Sequence, residues 1–193
     1  LERQALLALQ GPKSIQVLTR HCDVDFDKFD FMTRCLTRLF GLEVTLSRSG
    51  YTGEDGVEIS VDNDHAERLA ENLLNEKEVQ LAGLGARDSL RLEAGLCLYG
   101  QDLNETTTPI EANLGWSIGA RRRKEGGFRG ADIILEQLSC GVRRKRVGLA
   151  PKGRALLRGD TSLRNSKGVE IGNITSGGFS PTLGTPIAMG YVE

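Results

Sequence analysis

Two alternating segments joined by a glycine-rich turn set the strongest limit on the folds open to this chain. From Leu42 to Ser49 the residues Leu42, Val44 and Leu46 alternate with Glu43, Thr45 and Ser47, and from Val57 to Val61 the residues Val57, Ile59 and Val61 alternate with Glu58 and Ser60. A period of two puts the apolar set on one face of each strand and the polar set on the other. The segment between them, Gly50-Tyr51-Thr52-Gly53-Glu54-Asp55-Gly56, contains three glycines that permit unusual backbone angles. The economical reading is an antiparallel hairpin with an elaborated tip.

The neighbouring segments supply partners for that hairpin. Ala5 to Gln10 reads as a short buried strand and Thr33 to Phe40 as a further one. Gly11-Pro12 opens a helix on which Ile15, Leu18 and Cys22 fall at helical spacing, making Cys22 a core position. Asp64 and Glu67 have capping-box spacing, and Ala66, Leu69, Ala70 and Leu73 form one apolar stripe on the helix they open. A second helix is expected from about Gly85 to Ala94, with Leu90 and Ala94 inward and Arg87 and Arg91 sharing a face. Strands flanked by amphipathic helices imply an α+β fold.

An irregular region containing Gly100-Gln101-Asp102 and Thr106-Thr107-Thr108-Pro109 follows, and a short helix from about Ala131 to Leu138 closes this part of the chain. From Val142 the pattern changes. Short β-type runs, Arg146 to Leu149, Val169 to Ile174 and Ile187 to Val192, are separated by glycine- and proline-containing turns, which indicates a small antiparallel β domain. The expected division is therefore 1–141 and 142–193. The second part suffices for only a partial barrel or sandwich and ends on a strand with an unexplained pairing edge. That edge, with a start at Leu1 rather than Met, leads us to expect a fragment, truncated at both ends.

Composition narrows the function. With 193 residues, 39% of them apolar, the chain suits one large or two small globular domains. The 25 basic and 26 acidic side chains nearly cancel, so total charge implies neither nucleic acid nor an anionic membrane. No run approaches the ~20 apolar residues a membrane-spanning helix needs, and the start resembles neither a signal nor a transit peptide. Cys22, Cys35, Cys97 and Cys140 are far apart and make no CxxC pair, which speaks against zinc and for small core residues in a reducing compartment.

Arg48-Ser49-Gly50-Tyr51-Thr52-Gly53-Glu54-Asp55-Gly56-Val57-Glu58 and Gly85-Ala86-Arg87-Asp88 through Leu92-Glu93-Ala94-Gly95 carry a family likeness. It continues through Leu96-Cys97-Leu98-Tyr99-Gly100-Gln101-Asp102, Thr107-Thr108-Pro109-Ile110-Glu111, Trp116, Thr175-Ser176-Gly177 and Ala188-Met189-Gly190-Tyr191-Val192. Over nearly its whole length the chain resembles the T-protein of the glycine cleavage system, although the GYTGE turn by itself also occurs in related folate-dependent demethylating domains. The resemblance implies a folate-binding aminomethyltransferase-type domain followed by a small antiparallel β-barrel-like domain, as part of three domains around a central folate channel. It implies transfer of a methylene carbon from an aminomethyl group on the lipoyl arm of H-protein to tetrahydrofolate, with release of ammonia. The aspartate associated with that reaction lies in the preceding part of the family sequence, so no catalytic residue is expected in this chain, which should be inactive alone.

The resemblance carries folate contacts onto Glu58, Arg87 and Tyr51. Read without it, Glu58 is a strand residue on the polar face, open to water or to a cavity. A carboxylate there can accept adjacent pterin N–H donors as a fork. Arg87 competes with Arg91 on the same helix for the role of a planar cation against a carboxylate or polar pterin edge. Tyr51 either anchors the hairpin or lines an apolar channel. Glu54 and Asp55 read as turn formers rather than an acid/base pair. No metal, flavin or nucleotide site is apparent.

Two basic runs, Arg121-Arg122-Arg123-Lys124 and Arg143-Arg144-Lys145-Arg146, suit docking of an acidic carrier such as lipoylated H-protein, or solvation alone. Neither run has interleaved aromatics for stacking nucleobases, and no nucleic-acid or membrane partner is expected. The likeness implies the mitochondrial matrix for a eukaryotic source and the cytoplasm for a bacterial one. A rival reading is a non-catalytic folate-binding scaffold or assembly factor on the same fold; another is a demethylating domain fused to a flavoprotein.

Overall fold

The computed structural model describes residues 2–153 and 155–193. The chain divides into two compact units, Leu1–Leu90 and Arg91–Glu193.

The first unit is built on four antiparallel strands: β1 (Gln4–Gln10), β2 (Arg34–Leu39), β3 (Leu42–Ser47) and β4 (Gly56–Asp62). They lie in the order β1-β4-β3-β2, so the first strand joins the hairpin on the far side of β4. The alternation read from sequence sets the faces. Val44, Leu46, Val57, Ile59 and Val61 are buried with Val17 and Leu18 of α1 (Ser14–Thr19) and with Leu69 and Leu73 of α2 (Asn63–Leu74). Ser47, Ser60 and Glu58 alternate with them and are half-buried on the other face.

Several local expectations shift. β1 is not buried on both faces: Leu9 is in the core, but Leu6 and Ala8 are exposed, as fits a strand with helices on one side only. α1 ends at Thr19, and Cys22 lies beyond it, half-buried against the core rather than inside it. The N-cap of α2 lies two residues before the expected one at Asp64. Asp62, in an extended conformation, is its N-cap and accepts from the backbone N–H of Asp64. Either Asp62 or Asp64 has the chemistry of a cap; the end of β4 decides between them. The four cysteines are not core residues: Cys22, Cys35 and Cys97 are half-buried and Cys140 is exposed.

α3 (Leu84–Glu93) runs over the division between the units. Its inward residues differ from expectation. Arg91 and Leu92 are buried, Leu90 is half-buried and Ala94 is exposed beyond the last turn. The second unit continues with α4 (Ala120–Glu125), α5 (Ala131–Cys140), β5 (Lys145–Leu149), β6 (Ser162–Arg164), β7 (Glu170–Ser180) and β8 (Thr185–Val192). The four strands are antiparallel in the order β5-β8-β7-β6. The final strand therefore lies inside the sheet, with β7 along one side and β5 on the other from Ala188 to Val192. β7 is longer than the expected run and returns to β8 through a hairpin, while β6 went unforeseen.

Candidate functional site

The hairpin tip begins where β3 and β4 stop pairing, just beyond Ser47 and Glu58. Three devices fix its shape. Arg48 grips Asp55 with two hydrogen bonds, Nε to Oδ1 at 3.1 Å and Nη2 to Oδ2 at 2.8 Å. Its Nη1 also donates to the carbonyls of Phe26 and Phe29, which ties the tip to the preceding loop. The guanidinium beside Asp55 holds that carboxyl below the ordinary carboxylate range. Glu54 and Asp55 are exposed, as read for turn formers, and Asp55 also closes this clasp.

Gln10, the last residue of β1, is the second device. Its Nε2 donates to the carbonyls of Ser49 at 3.0 Å and Val57 at 3.1 Å, and its Oε1 accepts from Thr52 Oγ1 at 3.2 Å. The side chain fills the space two glycines leave. A Cβ on Gly50 would lie 1.9 Å from Gln10 Oε1, and one on Gly56 would lie 2.8 Å from Gln10 Cδ. Those glycines are needed for close approach, whatever their φ angles.

The third device reaches the site itself. Ser49 Oγ donates to Glu58 Oε2 at 2.6 Å and fixes the direction of that carboxylate. Tyr51 stands two residues further along the tip, and the Arg87 guanidinium lies over its ring, 4.8 Å from the centroid. The structure thus brings Tyr51 and Arg87 into direct contact, while Glu58 joins the same tip through Ser49. Among the described residues Ser49 supplies the hydrogen bond to Glu58, so one oxygen and most of its lone pairs are left for a ligand. An acceptor fork, a planar cation and an aromatic face fit a flat heterocycle with N–H donors and a negative tail. Reading the sequence missed Gln10 and assigned Ser49 no role; nothing local marks either, because their partners come from pairing across the sheet.

Arg91, the competing arginine, is elsewhere engaged. It is 2% exposed, and Nη1 bonds Asp102 Oδ2 at 2.8 Å while Nη2 donates to Ser176 Oγ at 3.0 Å. Asp102 is closed in from other directions too, accepting from the Leu98 N–H and from the hydroxyls of Thr175 and Ser176. Adjacent residues of a regular strand point to opposite faces, yet both hydroxyls reach one carboxylate. The register shift between Ile174 and Ser176 explains this, since a bulge re-aims a side chain.

The basic runs also separate. Arg121, Arg122, Arg123 and Lys124 are all exposed on α4. In the second run Arg143 and Lys145 are exposed, but Arg144 pairs with Glu111 at 2.9 Å and stacks on Tyr191. Arg146 donates to the carbonyls of Ala112 and Gly95. Arg144 and Arg146 thus make contacts within the second unit, with the Arg144 side chain still 40% exposed.

Residues 2–122 match the model for the GCVT N-terminal domain, and residues 144–193 match that for the glycine cleavage T-protein C-terminal barrel domain. The chain is 52% identical over its full length to the mitochondrial aminomethyltransferase of Mesembryanthemum crystallinum, covering 47% of that protein. It is 53% identical over 97% of its length to the Mus musculus mitochondrial aminomethyltransferase, again covering 47%. The crystal structure of glycine cleavage system aminomethyltransferase T from Bartonella henselae superposes with a TM-score of 0.89 at 45% identity, over 98% of this chain and 51% of that one. The chain thus spans about half the length of the curated relatives it matches.

Proposed function

The chain belongs to the glycine cleavage T-protein family, and from that membership we propose that the full-length gene product is a tetrahydrofolate-dependent aminomethyltransferase. It takes the methylene carbon of an aminomethyl group on the lipoyl arm of H-protein, passes it to tetrahydrofolate, and releases ammonia. The observation that carries this reading is the joint placement of Glu58, Tyr51 and Arg87 around one braced hairpin tip.

Glu58 accepts adjacent N–H groups of the reduced pterin, its rotamer set by Ser49. Arg87 meets a polar pterin edge or the cofactor's carboxylate, and Tyr51 holds the guanidinium in place while lining the channel. Tetrahydrofolate supplies the nucleophilic nitrogen that accepts the carbon. Orientation and charge placement are the contributions of this chain's residues. None of them is assigned the proton that leaves with ammonia. The resemblance associates the reaction with an aspartate of the preceding part of the family sequence, whose role is either to orient folate or to manage protons.

Lipoylated H-protein is the partner, approached through the exposed face of α4 at Arg121, Arg122, Arg123 and Lys124, with Arg143 and Lys145 as secondary contacts. Its lipoyl arm brings the substrate, so this chain needs no lipoyl group of its own. The mitochondrial names of the eukaryotic relatives support a matrix location for a eukaryotic source. Among the described residues no helix is long and apolar enough to cross a membrane.

The deciding experiment measures tetrahydrofolate-dependent ammonia release from aminomethyl-loaded H-protein by the full-length gene product and its Glu58→Ala and Arg87→Ala variants. Activity in the parent with loss of about a hundredfold or more in folded variants is expected, each variant removing a charge-assisted contact. Parental activity in both would reject the site assignment. An inactive parent that still binds folate would favour a non-catalytic scaffold.

A further inference from the structure

We infer that Gln10 is a positioning residue for tetrahydrofolate, acting through Ser49 on Glu58. The inference rests on the folate reading of Glu58 and adds a residue to it.

Gln10 touches neither Glu58 nor Arg87 by hydrogen bond, yet it holds both chain segments that fix Glu58. Its amide nitrogen bridges the carbonyl of Ser49 at the end of β3's extension and the carbonyl of Val57 beside Glu58 on β4. One side chain thus sets the separation of the two strands where their own pairing has stopped, beyond Ser47 and Glu58. The hydroxyl of Ser49 then reaches Glu58 Oε2 at 2.6 Å. Free to move, Ser49 would release that carboxylate to other rotamers, and the fork would no longer be presented in one direction.

The amide orientation follows from its partners. Nε2 faces two carbonyl oxygens and Oε1 faces the Thr52 hydroxyl, so a flipped amide would set oxygen against oxygen twice. Thr52 adjoins Tyr51, which extends the brace toward the ring under Arg87. Glycine at 50 and 56 is what admits a side chain of this length into the turn. A half-buried glutamine held by three backbone and hydroxyl partners has a cost in conformational freedom that an ordinary hairpin tip, closed by its own backbone bonds, does not need.

The test is tetrahydrofolate binding by calorimetry to the full-length gene product, its Gln10→Met and Glu58→Gln variants and the double variant. Methionine keeps the length of the side chain and removes its donors. Gln10→Met is expected to weaken binding about tenfold, the scale of one or two net hydrogen bonds. The double variant is expected to bind no more weakly than the worse single, because Gln10 works through Glu58. Thr52→Val, which removes the hydroxyl that donates to Gln10 Oε1 together with an exposed acceptor of the Glu54 N–H, should weaken binding about threefold and decides the matter if Gln10→Met does not fold. Parental affinity in Gln10→Met, or losses that multiply in the double variant, overturns the inference while leaving the folate reading intact. Parental affinity in Glu58→Gln overturns the reading of Glu58 and the inference with it.

Discussion

The guanidinium of Arg87 lies over the ring of Tyr51 at 4.8 Å, which joins the first half of α3 to the hairpin tip within the first unit. A cation over an aromatic face at an accessible position is worth about 0.5–1 kcal/mol. Tyr51→Phe keeps the face and should leave folate affinity within about twofold, whereas Tyr51→Ala frees the guanidinium and should cost about three- to tenfold. Arg87→Lys keeps the charge but loses the planar fork, and should cost more than Tyr51→Phe. Equilibrium binding of tetrahydrofolate to the three variants orders them, and parental affinity in Arg87→Lys would remove Arg87 from the site.

One helical turn further on, the same side chain does something different. Arg91 and Asp102 form a buried ion pair in the second unit, with side chains 2% and 0% exposed, completed by Ser176, Thr175 and the Leu98 N–H. Asp102→Asn removes the negative charge of this buried pair, a loss on the order of 3–5 kcal/mol. Urea unfolding should show it as a lower midpoint with an unchanged slope. A loss under about 1 kcal/mol would mean the pair is solvated in solution.

Arg87 and Arg91 also show how far local pattern reaches. The period of two gave the faces of β3 and β4, and helical spacing gave Leu69 and Leu73 as the buried stripe of α2. These signals are legible because each strand or helix carries its own hydrophobic period. The two arginines have equal standing by that measure, both polar and four apart. Asp102 and the bulged strand residues Thr175 and Ser176 separate them, and Thr175 is 73 positions from Asp102. Gln10 is hidden for the same reason, since its register opposite Gly56 is a property of the sheet and not of the sequence around position 10. The family likeness supplied Glu58, Arg87 and Tyr51 as candidates; the brace behind them required coordinates.

Tyr191 supplies a pH signature for the second unit. It is 4% exposed, its hydroxyl donates to the Asp102 carbonyl at 2.7 Å, and burial pushes its pKa up to about 12. A folded-state value above the ordinary one near 10 means the folded chain holds the phenol proton longer than the unfolded chain does. The associated stability is present below about pH 10 and is lost as pH rises through about 12, amounting to about 2–3 kcal/mol at most. Tyr191→Phe should remove this alkaline dependence and cost about 1–3 kcal/mol at neutral pH by leaving the buried Asp102 carbonyl unpaired. Unfolding midpoints from pH 8 to 11.5 in parent and variant test this, and parallel curves would refute it.

The two basic runs make contrasting predictions, because charge on a surface acts differently from charge inside a network. All four basic residues on α4 are exposed, so replacing Arg121, Arg122, Arg123 and Lys124 by glutamine should slow association with H-protein about tenfold or more at low salt and flatten its salt dependence. Stability should change little, since the Arg121–Glu125 pair and the Arg122 and Arg123 bonds to the Gly127 and Ile118 carbonyls that are lost are all exposed, where water replaces the missing donors. Arg146→Gln instead leaves the Gly95 and Ala112 carbonyls short of a donor and should destabilise the fold by about 1–3 kcal/mol, with H-protein association unchanged in the folded fraction. Stopped-flow association rates between 20 and 300 mM salt, paired with denaturant midpoints, separate the two effects. An α4 variant that associates at the parental rate at low salt would move the docking surface off that helix, and an Arg146 variant that alters association without losing stability would return the second run to it.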